Sequence, residues 1–246
     1  MTPEEDLRVR ADEFARRVSR TVGEFTGTEC PFVATTVDNR ATIRHGHANG
    51  GARYGIPLQD GTETLLSLVV EYNCSWDSLE RYLAVENSVV AVYPLCATNK
   101  EPLFRYEFDR KPIGRVPCAH LQVHAHRDSF THLLGWAGPN SKRARVRNGR
   151  GLNRTPSVSE FHFPLGGPRF RPCLEDILDV LQEEFGLGTG DGWNAARDEA
   201  RAEWRRTQVA AAVRDAPEEA VRVLRDLGYT VDGAPGAERT AKLTML

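Results

Sequence analysis

An amphipathic helix at the start of the chain sets the first constraint on the fold, because its apolar face must be buried against something. Thr2 can cap this helix, Pro3 suits its first turn, and Glu4 and Glu5 favour the positive end of the helix dipole. Apolar residues then recur at helical spacing: Leu7, Ala11, Phe14, Ala15, Val18 and Val22. The pattern predicts a helix over residues 3–22 that packs on an apolar surface.

The surface that the sequence offers is a sheet. β-forming segments cover residues 32–37, 41–48, 64–74, 89–95, 103–108, 120–126 and 158–163. The turn-like residues 38–40 make a hairpin of the first two, a short helix is predicted over 77–85, and Pro94 and Pro102 exclude one continuous strand between them. We predict an α+β fold, mainly an antiparallel curved sheet packed on the N-terminal helix and on a helix at about 172–185, with a helical C-terminal appendage.

The glycine-rich residues 186–192 mark the clearest boundary in the chain, since β-forming sequence is almost absent beyond them. We predict a main α+β domain over residues 1–187, including a flexible basic loop at 138–157, and a helical appendage and tail over 188–246.

The appendage is predicted to contain two helices, over 193–214 and 217–227, rich in alternating Arg, Glu and Ala. Six apolar residues are expected to bury a small interface within it: Val209, Ala210, Val213, Val221, Leu224 and Leu227. These helices are also where a protein partner would dock.

Bulk properties exclude several classes of protein. Of the 246 residues, 32 are Lys or Arg and 34 are Asp or Glu, so a net charge of −2 provides no overall attraction to nucleic acid or anionic lipid. No apolar run approaches the roughly 20 residues of a membrane-spanning helix, and no dinucleotide, phosphate-loop or zinc-protease motif is present. We therefore expect a cytoplasmic protein with no cofactor and no membrane association.

The cysteines fit that expectation. The chain has five, an odd number without a close pair: Cys30, Cys74, Cys96, Cys118 and Cys173. Such scattered cysteines are typical of reduced thiols in a protein core, not of a zinc ribbon or a disulfide framework.

The most specific chemical feature is a strand of histidines over residues 120–126. Period-two alternation puts Leu121, Val123 and Ala125 on one face of this strand. The other face carries His120, Gln122, His124 and His126. Side chains two positions apart lie about 7 Å from each other, and imidazoles have a pKa near 6.5, so two of them suit acid/base cleavage of a phosphate ester. The alternatives are a half-exposed sheet face with incidental histidines, or part of a metal site.

Two other segments alternate in the same way. Arg105 and Glu107 share a face of one strand, and Glu160 and His162 share a face of another. If these strands flank the histidine strand, Glu107 or His162 would orient an imidazole and Arg105 would bind a phosphate oxygen. The alternative is a polar outer face whose charges pair with each other.

A basic loop follows the histidine strand. Residues 142–154 contain six cations and no acid: Lys142, Arg143, Arg145, Arg147, Arg150 and Arg154. Such a loop attracts phosphate backbones and can become ordered on RNA, although many charge runs are solvated surface insertions.

The order of these motifs resembles the TumE-type toxins of bacterial toxin-antitoxin systems over about residues 103–185. The resemblance rests on residues 104–107 (FRYE), the closely spaced histidines, residues 162–164 (HFP) and the acidic helix start at 174–176. Glu107 stands where that family has an aspartate, and the basic loop is an addition. The resemblance implies a toxin-like role in a bacterium. The histidine-triad strand of nucleotide hydrolases is a second comparison, which Gln122 interrupts.

The leading hypothesis is a metal-independent ribonuclease or phosphodiesterase acting on RNA. Its catalytic residues would be His124, His126, Glu107 and His162, and its substrate contacts Arg105, His120, Gln122, Arg143, Arg145 and Arg147. A non-enzymatic nucleic-acid or protein-binding module is the first alternative. A metal site formed by His120, His124 and His162 is the second.

Overall fold

The computed structural model describes residues 3–46, 55–60, 63–77, 82–94, 101–114, 116–124, 163–165, 167–185, 187, 190–234 and 236–245. Its helices are α1 (Pro3–Thr26), α2 (Gly167–Phe170), α3 (Leu174–Phe185), α4 (Trp193–Asp215), α5 (Pro217–Asp226) and α6 (Thr240–Leu243). Its strands are β1 (Phe32–Val37), β2 (Arg40–His45), β3 (Ile56–Asp60), β4 (Glu63–Trp76), β5 (Leu83–Pro94), β6 (Phe104–Asp109), β7 (Ala119–Val123) and β8 (Phe163–Pro164).

The described strands form one antiparallel sheet. Seven of them lie side by side in the order β1-β2-β4-β5-β6-β7-β8, and β3 pairs with β4 off this path. The order follows the chain closely, as expected when successive strands are joined by short connections. The predicted α+β class, with an antiparallel sheet, an N-terminal helix and C-terminal helices, is confirmed.

The two faces of the sheet differ in composition, because paired residues on neighbouring strands share a face and side chains alternate along each strand. Pairings such as Ile43 with Tyr72 and Val90 with Tyr106 place apolar residues on one face, here called the helix face. Helices α1 and α3 cover this face, and their apolar side chains join those of the strands in one core. The other face, here called the polar face, carries the alternate residues, including the pair Glu107 and His120.

Helix α1 supports the sheet through local contacts that the sequence dictates. The helix extends four residues beyond its predicted end at Val22 and stops before Gly27, whose φ of 67° suits glycine at a helix terminus. Ser19 Oγ accepts a hydrogen bond of 2.7 Å from the backbone N–H of Phe32, which fixes β1 against the helix.

One predicted helix and one strand boundary are wrong. Residues 83–85, part of the predicted helix at 77–85, belong to β5, whose register continues along β4 as far as Trp76 opposite Leu83. The long β4 supplies backbone partners over this stretch, so pairing overrides local preference. The histidine strand is also shorter than predicted, since β7 ends at Val123.

The C-terminal helices pack differently from the prediction. Trp193 is only 1% exposed and lies edge-on to Phe25 of α1, with ring centres 5.0 Å apart. A Cβ on Gly190 would lie 2.7 Å from the carbonyl oxygen of Glu24, so glycine permits this close approach of α1 and the start of α4. Arg20 also pairs with Glu199 at 2.9 Å. Helix α4 is therefore docked on α1.

The small interface expected within the appendage is not formed as predicted, because Val209, Val213, Leu224 and Leu227 are exposed. Helix α4 uses Trp193 and Ala196 instead to contact the core. The domain boundary at residue 187 stays a prediction. None of the helices in the described part of the chain has the length and apolar character that crossing a bilayer requires.

Four of the five cysteines lie in the described residues. Cys30, Cys74, Cys118 and Cys173 are buried and form no disulfide with one another. Burial raises the pKa of the Cys74 thiol to about 12, as expected for a core thiol and not for a reactive one.

Candidate functional site

Four of the predicted site residues form one connected group on the polar face. The register of β6 and β7 places Arg105 opposite Gln122 and Glu107 opposite His120. Glu107 Oε2 lies 3.0 Å from His120 Nε2, and Glu107 Oε1 lies 3.3 Å from Arg105 Nε. The same Arg105 Nε donates a hydrogen bond to Gln122 Oε1. We call these four residues the polar network.

His120 is held at both ring nitrogens. Its Nδ1 lies 3.0 Å from the carbonyl oxygen of Pro117, and its Nε2 contacts Glu107. The Pro117 oxygen and the ionised Glu107 carboxylate are both acceptors, so both contacts are hydrogen bonds when both ring nitrogens carry a proton. Both are also hydrogen bonds when only Nδ1 is protonated and the Glu107 carboxyl donates its own proton to Nε2. With 4% of its surface exposed, His120 serves better as an anchor for Glu107 than as a group that exchanges protons with a substrate.

His124, in contrast, has no hydrogen-bond partner among the described residues at either ring nitrogen. It directly follows β7, and its backbone N–H donates to the carbonyl oxygen of Leu103 at 2.8 Å. Its side chain is 9% exposed, and Nδ1 lies 3.8 Å from Glu101 Oε1, which is beyond hydrogen-bond distance. His124 is thus a nearly buried imidazole without a described hydrogen-bond partner.

The charge state of His124 follows from its surroundings. Burial lowers its pKa below the usual 6.5, and the positive charge of Arg105 lowers it further, whereas Glu101 and Glu107 act in the opposite direction. The neutral imidazole, which can accept a proton, is therefore favoured at neutral pH.

The polar face continues across the sheet with neutral and charged residues, including Arg44 opposite Glu71. Thr42 Oγ1 donates to Asn73 Oδ1 at 2.8 Å, and Asn73 Nδ2 donates to Asn87 Oδ1 at 2.7 Å. Asp109 Oδ1 accepts from the backbone N–H of Lys111 at 2.8 Å and so stabilises the turn after β6. These contacts hold strands and turns together, and they leave the polar network and His124 as the chemically distinctive part of this face.

The remaining predicted site residues lie outside the described part of the chain: His126, His162, Arg143, Arg145 and Arg147. Within the described part, no cluster of three or more His, Cys, Asp or Glu residues is arranged to hold a metal ion. The alternative metal site includes His162, so it stays a prediction.

A second candidate region, which the sequence did not indicate, lies on the helix face. A cavity of about 590 Å³ is enclosed by the sheet, α1 and α4. Aromatic side chains from these elements line it: Phe14, Tyr72, Tyr106, Phe108 and Trp204. Ligand pockets typically have roughly 300–1,000 Å³ and mostly apolar walls. We call this region the helix-face cavity.

Comparison of the chain with family models, with curated proteins and with solved structures finds no match. Function is therefore argued from the geometry of this chain.

Proposed function

We propose that the protein is a metal-independent ribonuclease or phosphodiesterase, toxin-like in role, that acts on RNA in the bacterial cytoplasm. The observation that carries the proposal is His124, whose ring nitrogens have no hydrogen-bond partner in the described part of the chain, next to a network that contains an arginine and a carboxylate. Histidine is the side chain best suited to proton transfer at neutral pH, and an adjacent arginine suits a phosphate.

In this proposal, the neutral His124 accepts the proton of a ribose 2′-hydroxyl, and the 2′-oxygen attacks phosphorus. His126 donates a proton to the departing 5′-oxygen, so the products are a 2′,3′-cyclic phosphate and a 5′-hydroxyl. Glu107 or His162 orients an imidazole, as the sequence predicts.

Arg105 supplies a phosphate contact. Its side chain is partly exposed, and its contacts with Glu107 and Gln122 both use Nε. The two terminal guanidinium nitrogens face no described acceptor, so they can bind two oxygens of one phosphate. Arg143, Arg145 and Arg147 would add contacts along the RNA backbone.

Cleavage of a fluorescent RNA oligonucleotide in the presence of EDTA tests the proposal. We expect a 2′,3′-cyclic product from the wild type, and no cleavage of the same oligonucleotide carrying 2′-deoxyribose at the cut site. His124→Ala and His126→Ala should each slow cleavage by about 100-fold or more. His45→Ala removes an imidazole from the distant β2 and should leave the rate unchanged. No cleavage by wild type, or equal loss in all three variants, would contradict the proposal.

A non-enzymatic nucleic-acid or protein-binding module is the second candidate, and burial of the polar face favours it. His120 and Gln122, expected to contact substrate, are each 4% exposed and bonded within the network. The exposed apolar residues of α4 and α5, such as Val209 and Leu227, offer a surface for a protein partner.

RNA affinity separates the two candidates. A module would bind RNA without cutting it, and joint replacement of Arg143, Arg145 and Arg147 by Ala would weaken binding to all sequences alike and reduce its salt dependence. Binding without cleavage would favour the module over the enzyme.

A further inference from the structure

Arg171 is a cation in the wall of the helix-face cavity that has no carboxylate partner among the described residues. The centre of its guanidinium group lies 3.8 Å from the centre of the Phe108 ring and 5.8 Å from that of Trp204. One terminal nitrogen donates to the carbonyl oxygen of Pro168. A guanidinium group has five donors, so most of those on Arg171 lack a partner among the described residues.

No described ion pair joins Arg171 to a carboxylate of the cavity wall, which also includes Glu13, Glu107, Glu175 and Glu203. Neighbouring arginines have carboxylates of their own: Arg10 pairs with Asp6, Arg17 with Glu203, Arg110 with Glu86, and Arg169 with Asp215. Glu175 lines the cavity and is 6% exposed, and burial raises its pKa, which favours the uncharged acid. Burial lowers the pKa of Arg171 to about 10, so this arginine remains charged at neutral pH.

Gln208 lies in the same wall, but its Oε1 is buried and has almost no surface facing the cavity. The cavity therefore offers the cationic donors of Arg171 beside the aromatic rings of Phe108 and Trp204.

We propose that the helix-face cavity binds a small organic anion with a flat, largely apolar body. The acidic group would accept hydrogen bonds from Arg171, and the body would lie against Trp204 and Tyr106. Arginine beside aromatic rings is a favourable environment for such a molecule. The strand residues Tyr106 and Phe108 of this site lie on the opposite face of the sheet from His120, and ligand binding there does not depend on the proposed ribonuclease activity.

Two fluorescent probes that differ only in charge test this proposal. The aromatic sulfonate 8-anilinonaphthalene-1-sulfonate carries an acidic group, and N-phenyl-1-naphthylamine is the same molecule without it. We expect the full-length wild type to bind one sulfonate per chain, at least about tenfold more tightly than the neutral probe, because hydrogen bonds to a charged group contribute strongly in a buried site. Equal affinity for the two probes would overturn the proposal.

Arg171→Met should weaken sulfonate binding about 10- to 100-fold and change binding of the neutral probe less than about threefold. Arg222→Met is the matched control, since Arg222 is an exposed arginine of α5. Unchanged sulfonate binding in Arg171→Met would overturn the proposal. Near-UV circular dichroism verifies folding, which matters because loosely packed states also bind this dye.

Ala200→Trp tests the location without removing a charge. Ala200 lines the cavity from α4, and the larger side chain should block both probes. Undiminished binding of the sulfonate by a folded Ala200→Trp variant would place the dye elsewhere and overturn the proposal. If Arg171→Met fails to fold, the two-probe comparison on the wild type and the binding test on Ala200→Trp decide the outcome.

Discussion

The two faces of the sheet differ in how their buried charged groups are partnered. On the polar face, Glu107 is shared between Arg105 and His120, so each charge has a partner of opposite sign or a hydrogen bond. On the helix face, Arg171 has aromatic neighbours and no carboxylate within the described residues, and the buried Glu175 favours its neutral form.

The difference separates structural charge from charge that is open to a ligand. Groups that satisfy each other stabilise the sheet and have little left for a ligand, whereas groups without partners make a site costly to leave empty. By this criterion, the groups without a described partner are His124 on the polar face, which lacks a hydrogen-bond partner for its ring, and Arg171 on the helix face, which lacks a carboxylate.

Removing the carboxylate at the centre of the polar network should have the larger effect on stability. Glu107→Ala removes the carboxylate that contacts both His120 Nε2 and Arg105 Nε, so we expect the free energy of unfolding to fall by about 2 kcal/mol. Glu107→Gln keeps an acceptor oxygen and should cost less. Urea unfolding followed by circular dichroism measures both.

Asp198→Ala is the matched control for the network, because it breaks an ion pair with Arg197 in which the aspartate is exposed. Exposed pairs contribute little, so this variant should retain nearly all the wild-type stability. A loss in Asp198→Ala equal to that in Glu107→Ala would show that the network is no more stabilising than a surface pair.

The buried acid on the helix face, Glu175, should give a smaller effect of opposite sign. The folded-state pKa of Glu175 is raised above its usual 4.5, so ionisation favours the unfolded chain once the pH exceeds 4.5, and the penalty grows until the pH passes the folded-state pKa. Glu175→Gln removes this penalty. We expect it to raise the unfolding free energy at pH 7 by about 1 kcal/mol, within the usual range of stabilising substitutions.

The same substitution should have almost no effect at pH 4, where the acid is largely protonated in both states. Thermal unfolding at pH 4 and pH 7 tests this dependence. Destabilisation at pH 7 would mean that Glu175 is ionised and paired in the folded protein.

The helices and strands that could be predicted are those whose own sequence carries a pattern of apolar residues. Helices α1, α3 and α4 and strands β1, β4 and β6 follow from helical or alternating spacing of apolar residues. Strand β3 was missed because Pro57 and its short length give no clear strand signal. The start of β5 was predicted as helix because its pairing with β4 is not encoded locally.

The candidate sites were predictable to different extents. Alternation and strand order placed Arg105, Glu107, His120 and Gln122 on one face, but not the contact of His120 with Pro117, which depends on the path of a loop. The helix-face cavity had no sequence signal, because Phe14, Phe108 and Trp204 are about a hundred residues apart and meet only through packing.

The pH dependence of RNA cleavage tests the assignment of His124 most directly. If the neutral His124 is the base, kcat/KM should fall on the acid side with a midpoint below 6.5, because burial and Arg105 both lower this pKa. The rate should also fall at higher pH as the acid, His126, loses its proton, and the acid limb should vanish from the residual activity of His124→Ala. An acid limb with a midpoint above 6.5, or one that persists in His124→Ala, would contradict the assignment.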